Sequence, residues 1–507
     1  MSTIKKLANQ TVIYGLSSIL GRIINFLLVP IYVRVFVPAE YGVSVEIYAY
    51  FTFLNILYTY GMETTFFRFA NNSDNPRKVF STSFFSLFAS SVIFSLVLFL
   101  FRSPIASGLG YADREIYITW IILILAFDTI AVVPFSLLRQ SERPIKFAFI
   151  KTINILVNVF FNLFFLVACP FILKHHQFAF LHGFINSVYS PGIGIGYIFI
   201  SNLIASAVTL LFLAKEFLMF NFEIDFGMLK KMLIYSAPLV IVGFSGMIND
   251  SLDRTILKHL LPFSQYRNEE ILGIYGANLK LAILMVLMIQ AFRYAAEPFF
   301  FIQSKQTDAR QTYASVMKYF IIAGLFLFLL VTLYIDIFKY FIGARGSQYY
   351  EGLGVVPILL MSYLVLGIYY NLSIWYKLED KTAMGAIIAI IGAAVTIVFN
   401  IIFIPIWGYY ACASTKLFCY FVMVVLSYIF AQKYYPVNYP LKSISFYFIL
   451  TMAIYFADLI VRHAINVDKA LVSLLTGSFF MLIFVIIVIR KEGRSELIIN
   501  LFRKKVS

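Results

Sequence analysis

The chain has 507 residues, of which 61% are apolar and 18% aromatic, and only 13% are charged. A soluble protein carries about 45–50% apolar and about 25% charged residues, so a water-soluble globule, a disordered chain and a collagen-like repeat are excluded. The net charge of +15 comes with three cysteines, Cys169, Cys412 and Cys419, all in apolar runs that give neither a disulfide framework nor metal-ligand spacing.

A spanning helix needs about 20 mostly apolar residues. Runs of that length fall at 11–36, 43–67, 80–101, 116–138, 148–172, 194–214 and 232–257, then at 272–298, 315–338, 353–376, 383–405, 408–432, 443–463 and 469–489. They predict an all-α polytopic membrane protein with about 14 transmembrane helices. The first run follows Lys5 and Lys6 but is too long for a signal peptide and lacks a small-residue cleavage site, so it reads as a retained helix. Asn249, Asp250 and Asp253 interrupt the seventh run, and Pro405–Gly408 separates the eleventh from the twelfth. The longest connection, 175–193, carries His175, His176 and His182 with no acidic or thiol partner, so no metal and no cofactor is expected.

Of the 40 Lys and Arg residues, 25 fall in the loops on the side of the N-terminus and 11 on the opposite side. This bias predicts both ends in the cytoplasm and accounts for the positive charge without a nucleic-acid partner.

An internal repeat is visible. Tyr41-Gly42 through Phe67 lies on Tyr275-Gly276 through Phe301 at a constant offset of 234, which sets Glu46 on Lys280 and Glu63 on Glu297. The chain therefore reads as an N-terminal lobe over 1–220, a C-terminal lobe over 221–435 and an added helix pair with a basic tail over 436–507. Six helices per lobe keep both lobes in the same orientation, a parallel repeat about an axis along the membrane normal.

Charges within a bilayer cost about 2.5–3.5 kcal/mol each at mid-helix, so those retained face a cavity or a partner. The cations Arg22, Lys280, Arg293 and Lys416 suit an anionic headgroup, because Arg grips a phosphate bidentately and Lys acts as a point charge. Asn25 lies one turn beyond Arg22 on the same face. Glu46, Glu63, Asp250, Asp253, Arg254 and Glu297 are candidates for gating or ion coupling. Structural pairing competes with these roles: Glu46 with Lys280 across the lobes, Arg293 with Glu297 four residues on, and Arg254 with Asp253 or Asp250. Lys416 and Asp128 have no evident partner in the sequence.

The opening Tyr14-Gly15 through Pro30-Ile31-Tyr32, then Tyr41-Gly42 and Gly61-Met62-Glu63, resembles the oligosaccharide flippases of bacterial surface-polysaccharide pathways. The second-half pattern Asp253-Arg254, Gly273-Ile274-Tyr275, Ala277, Lys280 and Glu297-Pro298-Phe299 is similar to that family too. The superfamily also holds multidrug and toxin extruders and the lipid II flippase. Ala295-Ala296 stands where many members carry a Trp before the Pro-Phe. The resemblance implies alternating access around a basic cavity that holds a polyprenyl-diphosphate-linked oligosaccharide, with the polyprenyl tail in the lipid bilayer. It implies the bacterial inner membrane as the location, and a polysaccharide polymerase and glycosyltransferases as pathway partners.

No phosphate-binding glycine loop, nucleophile elbow or zinc motif is present, so no enzyme is expected. A cation-coupled multidrug exporter is the competing reading, but it calls for an acidic site with few cavity cations. A membrane-embedded glycan polymerase or ligase calls for a large outer loop, and the loops here are short.

Overall fold

The structure, a computed structural model, describes residues 21–304, 306–344, 346–464 and 469–493. Within hydrocarbon, an apolar segment satisfies its backbone only as a helix or a closed barrel, and the described segments are helical. Residues 21–27 form a helical segment that passes through a turn at Leu28 into α1 (Val29–Val35). α2 (Pro38–Thr59) opens on a proline, whose fixed φ suits a first turn. It ends where Tyr60 and Gly61 take positive φ, and α3 (Met62–Asn71) follows. The Asn75 side chain caps α4 (Pro76–Leu100) by accepting the Lys78 N–H at 3.1 Å.

Next come α5 (Glu115–Gln140), α6 (Pro144–Leu163), α7 (Gly196–Phe212) and α8 (Phe226–Leu260), which Asp225 caps through the Met228 N–H at 2.8 Å. α8 is continuous through Asn249, Asp250 and Asp253. α9 (Gln265–Leu281) and α10 (Ile283–Gln303) meet at a 47° bend. α11 (Ala309–Leu333), α12 (Val356–Leu372) and α13 (Thr382–Trp407) lead to Gly408, whose φ of +54° turns the chain into α14 (Tyr409–Tyr434). α15 (Leu441–Ala464) and α16 (Lys469–Glu492) close the described chain.

Ten helices of the described residues are long and apolar enough to cross a membrane, or eleven with the bent pair α9–α10 taken as one span. The expected count of fourteen is not reached on this measure, for three identifiable reasons. The first span begins outside the described residues. α2 carries Glu40, Glu46 and four tyrosines in its 22 residues, and α7 has 17 residues.

The chain packs as two compact units, Met1–Gly276 with Ala389–Cys412, and Ala277–Ile388 with Ala413–Ser507. In the first, α3, α4 and α5 pool Met62, Phe66, Phe80, Leu87 and Val133 into a core, and α8 packs along α2. In the second, Ala296, Phe300, Tyr313, Ile374 and Val437 cluster. Large apolar side chains such as Leu211, Ile449 and Ile460 are at least 70% exposed, which is the surface a bilayer covers and water does not. The chain is a multi-pass membrane protein.

Candidate functional site

In the first unit a polar seam runs through apolar helices. Asn154, Asn158 and Asn162 recur every four residues on α6 and so share one face. Each reaches another element: the Asn154 amide donates to Thr209 Oγ1 at 2.9 Å, and the Tyr32 hydroxyl donates to Asn162 Oδ1 at 3.0 Å. The Asn158 amide donates to Asn25 Oδ1 at 3.4 Å. Asn25 thereby fixes the face on which Arg22, one turn earlier, projects. Arg22 is exposed and makes no hydrogen bond or ion pair with any described residue. The same unit holds Asp128, which accepts the Ser206 hydroxyl at 2.7 Å.

A second constellation centres on Glu46, fully buried on α2. Its Oε2 lies 2.6 Å from Lys258 Nζ and accepts the Tyr111 hydroxyl, while its Oε1 lies 2.9 Å from His259 Nε2. Lys258 also donates to the Leu109 carbonyl at 2.6 Å and sits 4.0 Å from the Tyr111 ring centre. Burial first, and then the Glu46 carboxylate, push the Tyr111 phenol well above its ordinary value, so it stays a donor. Beside this cluster α2 and α9 touch backbone to backbone. A Cβ on Gly42 would stand 2.1 Å from the Glu269 carbonyl oxygen, and one on Gly273 would stand 1.8 Å from that of Pro38. Only hydrogen fits at either position.

Within the first unit Lys258 and His259 engage both Glu46 carboxylate oxygens; Lys280, the partner expected from the repeat, belongs to the second unit and is half-buried. Around Arg254 the local pairing holds. Its Nη2 lies 3.4 Å from Asp250 Oδ2 and 2.5 Å from Ser251 Oγ, and its Nε lies 3.8 Å from Asp253 Oδ1. Asp253 Oδ2 accepts the Tyr275 hydroxyl at 2.6 Å. Glu63 pairs with Arg139, whose guanidinium lies 5.0 Å from the Phe67 ring centre.

In the second unit, cations meet aromatic faces. Arg293 lies 4.2 Å from the Tyr370 ring centre, in a cavity of about 170 Å³ that Phe292, Tyr376 and Lys377 also line. Lys416 is buried 5.9 Å from the Tyr363 ring centre. A ring face attracts a cation without neutralising it. The expected pairing of Arg293 with Glu297 rests on a side chain outside the described residues.

Sequence reasoning missed Lys258, His259 and Tyr111. Lys258 looked like a loop residue beyond the seventh span, but α8 extends to Leu260 and the residue is 5% exposed. The available signal was Glu46 in an apolar run, which demanded a partner that spacing does not name.

A family profile described as polysaccharide biosynthesis protein matches residues 7–302. No curated protein matches the chain significantly. Among solved structures, the lipid II flippase MurJ in an inward closed conformation is 15% identical, with 95% of this chain and 100% of that one covered at a TM-score of 0.62. An inward-facing multidrug resistance MATE family transporter of the MOP superfamily is 12% identical, with 84% and 97% covered at 0.60. A MOP superfamily transporter from Pyrococcus furiosus, whose reversed binding-pocket polarity is said to suggest a different function, is 11% identical, with 85% and 98% covered at 0.54. At these identities the likeness is one of fold. With more than half of its length matched and the helical membrane fold of those transporters, the chain belongs to the polysaccharide biosynthesis protein family.

Proposed function

We propose that the protein flips a polyprenyl-diphosphate-linked oligosaccharide from the cytoplasmic to the outer leaflet of the bacterial inner membrane. It acts as a transporter, not an enzyme, and supplies the polymerase of a surface-polysaccharide pathway that glycosyltransferases feed. The observation that carries this reading is Arg22: a guanidinium in the first apolar run, open and unpaired among the described residues, on a helix face lined by amides. Such a group grips a diphosphate bidentately.

Lys280, Arg293 and Lys416 add positive charge on the second unit, and the aromatic rings beside Arg293 offer faces for sugar rings. Alternating access proceeds by rocking of two lobes, with both termini cytoplasmic as the 25-to-11 basic bias favours. If the lobes that rock are those of the sequence repeat, α2 and α8 separate only by breaking the Glu46–Lys258 pair, which gives Glu46 a gating role. Glu63, Asp250, Asp253, Arg254 and Glu297 are the remaining gating or ion-coupling groups.

One observation favours a second reading. Asp128, in the polar seam beside Ser206, is an acidic group of the kind a cation-coupled exporter uses, and MATE transporters share the fold. The two readings separate in cells deleted for the chain. Lipid-linked oligosaccharide that accumulates on the inner leaflet, with drug susceptibility unchanged, supports the flippase. Unchanged lipid-linked pools with raised susceptibility to cationic drugs support the exporter.

A further inference from the structure

Two cavities of the second unit share one helix face. The first, of about 700 Å³, lies at the N-terminal end of α11 and is lined by Asp308, Arg310, Gln311, Ser315, Lys318 and Asn438. The second, of about 290 Å³, is an apolar groove between Tyr319, Ile322 and Phe326 of α11 and Phe484, Val488 and Ile489 of α16. Positions 311, 315, 319 and 323 follow at four-residue steps, as do 314, 318, 322 and 326, so the polar cavity and the groove follow one another along one face of α11. Lys318 marks the junction. Its ammonium lies 2.6 Å from Glu492 Oε2, and Glu492 Oε1 accepts the Tyr447 hydroxyl at 2.9 Å.

With Lys318 and Glu492 satisfied by each other, two charges remain open among the described lining residues of the polar cavity. Arg310 is exposed, its guanidinium 5.0 Å from the Tyr435 ring centre. Asp308 accepts the Gln303 amide through Oδ1 at 2.7 Å, and its side chain does not cap α11. The two line one cavity without an ion pair between them. A head that brings its own opposite charges, a phosphate for Arg310 and a hydrogen-bonding ammonium for Asp308, neutralises both. The groove from Lys318 to Phe326 descends about 12 Å at 1.5 Å per residue. That is close to the roughly 15 Å depth of one hydrocarbon leaflet, the reach of an acyl chain.

We propose that this face of the second unit is a binding site for a phospholipid with a phosphoethanolamine-type head, phosphate on Arg310, primary ammonium on Asp308 and one acyl chain in the groove. The site uses none of the residues that carry the transport proposal, so its test needs no transport.

The full chain in detergent, stripped and titrated with phosphatidylethanolamine, phosphatidylglycerol or phosphatidylcholine, is read by native mass spectrometry. The wild type retains one phosphatidylethanolamine in preference to the other two. Asp308→Asn, which leaves the α11 backbone hydrogen bonds intact, shifts the preference toward phosphatidylglycerol by about fivefold, the effect of one charge near the surface. Arg310→Gln weakens all three lipids. Ala323→Trp, which fills the groove, lowers retention of every lipid but leaves the preference unchanged. Equal retention of the three heads by the wild type overturns the proposal, as does an Asp308→Asn preference identical to wild type. Soluble phosphoethanolamine that competes as well as the intact lipid also overturns it, since the groove then contributes nothing.

Discussion

Replacing Lys258 with methionine removes the ammonium that stands 2.6 Å from a fully buried carboxylate. Two unit charges at that separation attract by about 6 kcal/mol at an effective dielectric of 20. Much of this offsets the desolvation that both groups suffer, and breaking one side of a buried pair costs about 3–5 kcal/mol because the other charge is stranded. Tyr111 and His259 still reach the Glu46 oxygens, so Lys258→Met falls at the lower end, about 3 kcal/mol. Adding Glu46→Gln removes the stranded charge, and the double variant recovers most of that loss. The assay is denaturant unfolding in detergent, followed by the fluorescence of Trp120, Trp375 and Trp407. A Lys258→Met protein within about 0.5 kcal/mol of wild type, the range of ordinary surface changes, refutes the reasoning. So does a double variant whose loss is the sum of the two single losses.

Other outcomes follow from the same geometry. Gly273→Ala puts a methyl 1.8 Å from the Pro38 carbonyl oxygen, where backbone cannot yield, and lowers stability by about 1–3 kcal/mol in the same unfolding assay. The Asp225 carboxyl is held below the usual carboxylate range by the Met228 N–H and then by Lys78. Its stabilisation is therefore complete above the ordinary aspartate pKa of about 4 and is lost as pH falls through the depressed value, so wild type loses its advantage over Asp225→Asn in that window. Under the proposed function, the membrane potential alone is expected to drive net export of a diphosphate with about two negative charges. The gain is about 4.6 kcal/mol per 100 mV, enough for a leaflet ratio above about a thousand. Vesicles with a potassium-imposed potential and no proton or sodium gradient test this, and flipping indifferent to the sign of the potential contradicts it.

Hydropathy made the membrane class and the order of the helices legible, because twenty apolar residues have few other fates. The repeat drew attention to Tyr41-Gly42 and Tyr275-Gly276, and glycines at and near these positions are where α2 and α9 touch. The same offset did not name Lys258 as a partner of Glu46. It pointed to Lys280, whereas the ammonium that reaches Glu46 sits 212 residues away on the last turn of a 35-residue helix. Repeat arithmetic relates equivalent positions, but contact depends on how far a helix runs and which way it leans. The pairing of Arg254 with Asp250 was legible because both lie on one helix four residues apart. The seam through Asn154, Asn158 and Asn162 carries a readable four-residue period, but an uncharged amide in an apolar run does not demand a partner as a charge does.

The central claim, that Arg22 grips the diphosphate of a lipid-linked oligosaccharide, is tested most directly in proteoliposomes that contain that lipid on one leaflet. Appearance of its glycan on the other leaflet is followed by a membrane-impermeant lectin. Wild type flips the lipid, Arg22→Lys flips it partly because a point charge replaces the bidentate fork, and Arg22→Ala does not flip it although its folding and reconstitution are intact. Flipping by Arg22→Ala at the wild-type rate contradicts the account.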